Sequence, residues 1–363
     1  MLFSVVVPYF SHLDHMPLTL MSIATQTCRD FEVVVVDDAS PNSAEGLCQE
    51  MSKYMPQPIR YIHFDENKGI GVNRQRALDA AKGDYITSID SDDLFYHCEV
   101  LETYKRNIDA QKAQGKIVDV LHGQFMEAHA ETGVRNPHQP MDGAWVHGKA
   151  YRVQFLKDNK ITFPEYPYYE DGGFNHVVGK LAAFQVAIPD VMYLWTHTAN
   201  SIVRSGEYIY RMLPMFADSF WRAYKITEPV KGRDNVSDLI LSEVVMCYYY
   251  LQGLERRYPA DDTQIAKVYE VLKATLDDTK IIDRINNDER YYNAFKQILQ
   301  TGRAGAYNQD PYLVEDISFN DWLKLHFGES IKKLEKGAIQ GVRDTGTKVS
   351  MYADRTAKEK TDV

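Results

Sequence analysis

The amino-terminal hundred residues alternate short apolar segments with helical ones, and this alternation limits the fold more than any other feature of the sequence. The apolar segments cover residues 4–8, 31–36, 59–64 and 84–89. Segments with helical spacing of apolar residues lie between them, at residues 13–26, 44–54 and 69–81. Strands that are apolar on both faces and connected by helices form parallel sheets covered by helices. The sequence therefore predicts an α/β fold.

Polar residues follow the carboxyl ends of the predicted strands, where ligands bind in such sheets. They are Pro8-Tyr9, Asp37-Asp38 and the acidic segment Asp90-Ser91-Asp92-Asp93. The turn after the first strand contains no glycine and the chain has no Walker A sequence, so neither a Rossmann dinucleotide site nor a P-loop is predicted. We expect the sheet to bind a nucleotide without a glycine-rich phosphate loop.

The acidic segment at residues 90–93 is the strongest chemical signal in the chain. Two carboxylates spaced as Asp-x-Asp at a strand end can share a hard divalent cation, Mn²⁺ or Mg²⁺, that keeps positions open for water and diphosphate oxygens. The alternative is a solvated loop or a helix N-cap, where aspartate is common. The position directly after the fourth predicted strand favours the metal site.

Several short motifs follow one another in a characteristic order between residues 4 and 205. They are Ser4-Val5-Val6-Val7-Pro8-Tyr9-Phe10, Val36-Asp37-Asp38-Ala39-Ser40, Asn67-Lys68-Gly69 with Arg74, Gly83-Asp84-Tyr85-Ile86 with the acidic segment, His147-Gly148-Lys149-Ala150-Tyr151-Arg152, Tyr169-Glu170-Asp171-Gly172-Gly173-Phe174-Asn175, and Ser201-Ile202-Val203-Arg204-Ser205. This order resembles that of the family 2 glycosyltransferases of GT-A fold, which are inverting enzymes.

The resemblance implies a Rossmann-like mixed sheet, mostly parallel and flanked by helices, in a catalytic domain over residues 1–225. Its nucleotide-sugar half covers about residues 1–95, and its acceptor half covers about residues 96–225. Helical periodicity after residue 206 predicts a helical carboxyl-terminal domain at residues 226–336. The polar composition of residues 337–363 predicts a flexible tail.

For the donor nucleotide, the resemblance implies a set of contact residues that comprises Pro8, Tyr9, Phe10, Asp38, Asn67, Gly69, Arg74, Asp90 and Ser91. Asp38 would hydrogen-bond the base and Asp90 would face the ribose. The ring of Tyr9 or Phe10 would stack beneath the base or pack against the first helix instead. Arg74 would pair with the diphosphate or with a strand-end aspartate, because a guanidinium suits either anion.

For catalysis, the resemblance implies that Asp171 is the general base and that Glu170 holds the acceptor or orients the loop. An aromatic surrounding would raise the pKa of a carboxylate there and make it a better base. The alternative is an acidic pair that complements the dipole at a helix start. Asp92 is the expected metal ligand, and His197 is a third ligand or a packing residue.

These residues predict an inverting, metal-dependent transfer of a sugar from a nucleoside-diphosphate sugar, a UDP-sugar first of all, to a hydroxyl of a surface glycan or polymer. One alternative is a phage-type enzyme that glycosylates hydroxymethylated DNA bases, against which the net charge of −10 counts. A second is a catalytically inactive nucleotide-binding interaction module.

The cysteines and the lengths of the apolar runs predict where in the cell the protein is located. Four widely separated cysteines indicate reduced thiols, so neither a zinc site nor a disulfide framework is expected. No apolar run is long enough to span a membrane, so we expect a cytoplasmic protein without an integral membrane segment, in the host cytoplasm if phage-encoded. The predicted carboxyl-terminal helices could also join two copies of the chain.

Overall fold

The computed structural model describes residues 1–11, 13–129, 133–141, 143–197 and 206–231. These residues belong to one compact unit, Met1–Lys231. The predicted helical domain beyond residue 231 and the predicted tail at residues 337–363 lie outside the described residues. None of the described helices is both long and apolar enough to cross a membrane.

The amino-terminal half is a parallel sheet with helical connections, which confirms the predicted α/β fold. Its elements are, in chain order, β1 (Phe3–Tyr9), α1 (Met16–Ala24), β2 (Phe31–Asp38), α2 (Glu45–Met51), a single 3-10 turn (Ser52–Tyr54), β3 (Arg60–Phe64), α3 (Ile70–Ala80) and β4 (Tyr85–Ser88). The strands lie in the order β3-β2-β1-β4, and each of these pairs is parallel. Every residue of β1 and of β2 is buried.

The second half extends the same sheet with antiparallel and parallel pairs. Its elements are β5 (Leu94–Phe95), α4 (Val100–Lys112), β6 (Val120–His129), β7 (Arg135–His138), β8 (Lys149–Arg152), α5 (Val153–Asp158), α6 (Glu170–Leu181), β9 (Gln185–His197) and α7 (Gly206–Lys231). From β4 the order continues β8-β6-β9-β5, with β7 paired to β6. β8 is antiparallel to β4 and β6, whereas β6 and β9 are parallel. The sheet is therefore mixed, as predicted, and its first half is entirely parallel.

Two apolar cores cover the two faces of the sheet. Val5 and Val7 of β1 pack with α1 and α4 on one face. Val6 packs on the other face, with α3 and α6. This arrangement follows from the alternation of side chains along a strand. Because both faces of the sheet are covered, β1 and β2 carry valines at consecutive positions. The helices α3 and α6 pack on the same face.

A close backbone approach fixes the start of α3 relative to the loop before α6. A Cβ atom on Gly71 would lie 2.2 Å from the carbonyl oxygen of Pro164. Only glycine allows this contact, which brings the first turn of α3 against the segment that leads into α6. The carboxyl edge of the sheet and the amino terminus of α6 therefore meet at one place.

Candidate active site

The site lies at the carboxyl edge of the parallel strands and is completed by the start of α6. Asp38 ends β2, and the acidic segment directly follows β4. Glu170 and Asp171 are the first two residues of α6, so they also occupy the helix end where negative charge is favoured. The tertiary fold also places this pair beside the acidic segment, which the preference of acidic residues for helix starts does not explain.

Arg74 of α3 connects these parts through three different hydrogen bonds. Its Nε donates to Glu170 Oε1 at 2.9 Å, its Nη1 to Ser88 Oγ at 2.9 Å, and its Nη2 to Asp90 Oδ2 at 3.1 Å. The side chain is only 5% exposed. Although burial opposes the charge, Asp90 and Glu170 raise the pKa of Arg74, so the guanidinium is a fixed cation between two carboxylates. The structure thus shows the pairing with a strand-end aspartate, one of the two predicted roles.

The carboxyl groups around Arg74 have different proton affinities. Burial disfavours the charge of Asp90, but Arg74 and His147 hold its pKa well below its usual range. Burial raises the pKa of Glu170 despite its pairing with Arg74. Burial and the neighbouring charge of Glu170 raise the pKa of Asp171 to about 8. The site therefore combines a firmly ionised carboxylate with a carboxyl group that exchanges its proton near neutral pH.

The acidic segment lies beside a cavity and can contribute metal ligands. Asp92 lines this cavity, about 360 Å³ in volume, together with Thr196 and Arg135. Asp90, Asp93 and His147 each offer one ligand atom, and these atoms lie within 4.8 Å of one another. Carboxylate oxygens with one imidazole are a suitable donor set for Mn²⁺ and also present the oxygens that Mg²⁺ prefers. The described residues thus fit a divalent cation, whereas the side chain of His197 lies outside the described part of the chain.

His147 was not among the predicted ligands. Its ring stacks on that of Tyr193, with centroids 4.4 Å apart, and its Nε2 lies 3.7 Å from Asp90 Oδ2. Burial lowers the pKa of His147, which favours the neutral imidazole that metals bind. Its buried Nδ1 has no hydrogen-bond partner in the part of the chain described here. A lone histidine carries no such signal in the sequence, since the contact depends on β8 lying beside β4.

Asp93 is held in place by hydrogen bonds from β9. It accepts hydrogen bonds from the Tyr193 hydroxyl at 2.6 Å and from the Thr196 amide at 2.8 Å. Burial, followed by the charges of Asp92 and Asp90, raises its pKa well above the usual value. These contacts attach the acidic segment to β9, a connection that local sequence could not reveal.

The predicted nucleotide contacts divide into exposed and buried side chains. Phe10 is 44% exposed, whereas Tyr9 is fully buried in the core and donates its hydroxyl to the Asn42 carbonyl. Phe10 is therefore the ring that can stack on a base, and Tyr9 packs against the protein. Pro8 and Ser91 are also buried, and the Ser91 carbonyl accepts a hydrogen bond from Thr19.

The predicted nucleotide contacts Asp38, Asn67 and Gly69 form one cluster beside β2. Asp38 is 2% exposed and accepts hydrogen bonds from the Gly69 amide at 2.8 Å and from Arg76 Nη1 at 2.7 Å. The exposed Asn67 side chain accepts a second bond from the Gly69 amide, at 3.0 Å. Gly69 has a φ of 87°, which suits glycine, immediately before α3 begins. Asp38 therefore organises the turn into α3.

Comparison with known proteins agrees with this fold. Over 94% of the chain, the structure superposes on residues 1–349 of TarS from Staphylococcus aureus, solved with UDP-GlcNAc, at a TM-score of 0.59 and 20% identity, covering 92% of that chain. A mannosyltransferase from Pyrobaculum calidifontis, solved with GDP-Man and Mn²⁺, gives a TM-score of 0.50 and 16% identity over 94% of this chain and 87% of that one. These likenesses show the fold, which is GT-A.

The sequence comparisons relate the chain to glycosyltransferases. Glycosyltransferase GlyA of Streptococcus pneumoniae is 23% identical over 96% of this chain, which spans 52% of GlyA, about half its length. Residues 4–166 match the model for glycosyl transferase family 2. The match ends at residue 166, before Glu170 and Asp171.

Proposed function

We propose that this protein is an inverting, metal-dependent glycosyltransferase that moves a sugar from a UDP-sugar to a hydroxyl of a glycan or polymer. The observation that carries the proposal is Asp171, a carboxyl group only 8% exposed whose pKa is raised to about 8. It stands next to Glu170, which Arg74 connects to the acidic segment. A base and a diphosphate-binding segment are thereby held in one rigid network.

Asp171 serves as the general base in this proposal. The acceptor oxygen forms a bond to the anomeric carbon of the sugar while the bond from that carbon to the diphosphate oxygen breaks. The acceptor proton passes to Asp171, and the leaving diphosphate keeps the electron pair. A base whose pKa lies near the working pH is efficient because it combines proton affinity with a useful ionised fraction.

Inversion follows from the number of carboxylates available. Direct displacement needs one base, whereas retention through a covalent intermediate needs a carboxylate nucleophile as well. Glu170 adjoins the base, but its Oε1 accepts a hydrogen bond from the buried Arg74 Nε. We therefore assign Glu170 the role of orienting Asp171 and the acceptor, and we expect a single displacement.

The metal would be held by Asp90, Asp93 and His147, whose ligand atoms lie within 4.8 Å of one another. We propose Asp92 of the same segment, which lines the adjacent cavity, as a further ligand. When bound, a divalent cation supplies positive charge next to the departing diphosphate. The chain's own contribution is to fix these side chains, and Arg74 does so for Asp90 while Tyr193 does so for Asp93. The cavity beside Asp92 gives the diphosphate and sugar room to approach them.

The donor and acceptor are proposed from the site and its relatives together. TarS was solved with UDP-GlcNAc, and exposed Phe10 gives a base a ring to stack on. TarS of Staphylococcus aureus is also similar to this chain in sequence and is named as a poly(ribitol-phosphate) β-N-acetylglucosaminyltransferase. That name supports a polymer hydroxyl as acceptor. An assay that compares several classes of acceptor is needed to identify the one that this protein uses.

The test is a transfer assay with a panel of UDP-sugars and glycan, polyol-phosphate and hydroxymethylated-DNA acceptors, with Mn²⁺ or with a chelator. The anomeric configuration of the product is read by NMR. We expect inversion, dependence on the cation, and loss of transfer in Asp171→Asn with retained UDP binding. Retention of configuration, or full turnover with the chelator, would contradict the mechanism. UDP binding without transfer or donor hydrolysis would favour the inactive binding module.

A further inference from the structure

Tyr169 adopts a strained backbone conformation directly in front of the candidate base. Its φ is 62°, in the left-handed region that a bulky residue rarely adopts, and Glu170 and Asp171 follow it in the chain. A conformation of this kind persists only where surrounding contacts over-determine it. Tyr169 ends the loop at residues 159–169, here called the base loop, and its conformation sets the direction in which the chain enters α6. The contacts that hold the base loop therefore also direct Asp171.

The ring of Tyr169 contacts both α6 and α7. A Cβ atom on Gly172 would lie 2.3 Å from the ring Cζ, so the ring closely covers the first turn of α6. The same ring packs edge-on against Phe216 of α7, with centroids 5.1 Å apart. Two helices thus hold the strained residue through its side chain.

Arg222 of α7 joins the base loop to the first turn of α6. Its Nη1 donates to the Gly173 carbonyl at 3.0 Å, and its Nη2 donates to the Thr162 carbonyl at 2.7 Å. Thr162 precedes Asp171 in the chain and Gly173 follows it. One guanidinium therefore fixes the chain on both sides of the candidate base.

Tyr166 connects the base loop to the same helix. Its hydroxyl donates a hydrogen bond to Asp218 Oδ2. Its ring lies against the first turn of α6, where a Cβ atom on Gly173 would be 3.1 Å from the ring Cε2. Asp218 and Arg222 occupy positions i and i+4 of α7 and so share one face of that helix. This face of α7 holds the base loop at two points.

We propose that three side chains are positioning residues for the candidate base, namely Tyr166, Asp218 and Arg222. They fix the base loop and so keep Tyr169 in the conformation that directs Asp171. This inference rests on the proposed function, because Asp171 acts as a base only in that reaction. The three side chains act through the base loop and not on the substrate, so their removal should slow transfer and leave donor binding intact.

A purely structural alternative is that these contacts only attach α7 to α6. A structural contact changes the free energy of unfolding but leaves kcat unchanged in the molecules that remain folded. A positioning contact lowers kcat, because the base is then misplaced relative to the acceptor. The donor KM and the affinity for UDP separate the base loop from the donor site, since both should stay unchanged.

The test compares Tyr166→Phe with Tyr85→Phe in the full chain. Tyr166→Phe removes one hydroxyl and keeps the ring on Gly173. The matched control also removes one hydroxyl, which donates to the Val118 carbonyl at 2.8 Å from the start of β4, at the opposite end of that strand from the acidic segment. Urea denaturation of both variants shows that they fold and what each hydroxyl contributes to stability.

The decisive measurements are kcat and donor KM in the transfer assay, and calorimetric titration with UDP and Mn²⁺. We expect kcat to fall about 10-fold to 100-fold in Tyr166→Phe, since a misplacement of about 1 Å can cost about 10²-fold. The donor KM and the Kd for UDP should not change, and Tyr85→Phe should keep the kcat of the unchanged protein. An unchanged kcat in Tyr166→Phe, or an equal loss in both variants, would overturn the inference.

A second pair of variants tests the same hydrogen bond from its other side. Asp218→Asn keeps an oxygen that can accept from the Tyr166 hydroxyl, whereas Asp218→Ala removes it. We expect the alanine variant to lose kcat as Tyr166→Phe does and the asparagine variant to retain most of it. Equal losses of kcat in the two Asp218 variants would overturn the role of this bond.

The unchanged protein separates this inference from the proposed function. If it transfers sugar and all of these variants share its kcat, the positioning role fails and the transfer function stands. If it neither transfers sugar nor hydrolyses the donor, the proposed function fails and the positioning role fails with it.

Discussion

At the residue scale, the proton of Asp171 sets the expected pH dependence. The pKa is raised to about 8 by burial and by Glu170, so below this pH the group is mostly protonated in the free enzyme and cannot accept a proton. We expect kcat/KM to rise with pH and to level off above about 8. A pH series in Asp171→Asn should lack this limb and lie about 10²–10⁴-fold lower. A limb that persists in that variant would assign the ionisation to another group.

Arg74 gives a second prediction at this scale. Removing it by Arg74→Met leaves Asp90 and Glu170 without their shared cation inside the protein, and breaking a buried pair costs about 3–5 kcal/mol. Urea denaturation measures the loss. The control is Arg106→Met, which removes an arginine that is 61% exposed and lies 3.9 Å from Glu99. An exposed pair contributes about 0–1 kcal/mol, so equal losses in both variants would contradict the role given to the buried network.

At the element scale, the approach of α3 to the loop before α6 predicts the effect of one methyl group. Gly71→Ala places a Cβ 2.2 Å from the Pro164 carbonyl oxygen, so α3 or the loop must move. We expect a clear loss of stability together with lower transfer activity, because α6 carries the candidate base. Gly46→Ala is the control, since its Cβ meets nothing within 4 Å in α2 and alanine favours a helix. A Gly71→Ala protein as stable and active as this control would show that the contact is unimportant.

Elements also show how far sequence reasoning reaches. β1 and β2 were predicted to within a few residues because burial on both faces makes them continuously apolar. β7 was not predicted, since Arg135–His138 has no apolar pattern and is a strand only through pairing with β6. The contacts of Arg74 with Glu170, of His147 with Asp90 and of Arg76 with Phe64 depend on elements far apart in sequence. The types and order of the candidate site residues could be predicted from the sequence, but these side-chain contacts could not.

At the scale of the whole molecule, ligand binding should stabilise the folded protein. A ligand that binds only the native state at about 100 times its Kd adds roughly 2.7 kcal/mol. We expect Mn²⁺ with UDP to raise the melting temperature of the full chain, and Asp92→Asn to reduce this rise strongly. Asp79→Asn is the control, because Asp79 is an exposed residue of α3 that bonds only Gln75 among its described neighbours. The same rise in Asp92→Asn as in the unchanged protein would remove Asp92 from the metal site.

The position of Arg74 also has a consequence for the order in which the molecule folds. The pairs of β1 with β2 and of β2 with β3 join residues 28 and 26 apart in the chain, whereas Arg74 and Glu170 are 96 apart, and contacts between more distant residues form later. Until α6 docks, the guanidinium of Arg74 lacks Glu170, and water must solvate it in place of that carboxylate. The donor-binding half can therefore reach a native-like sheet before the candidate base is in place. Nucleotide affinity should appear earlier during refolding than the ability to transfer sugar.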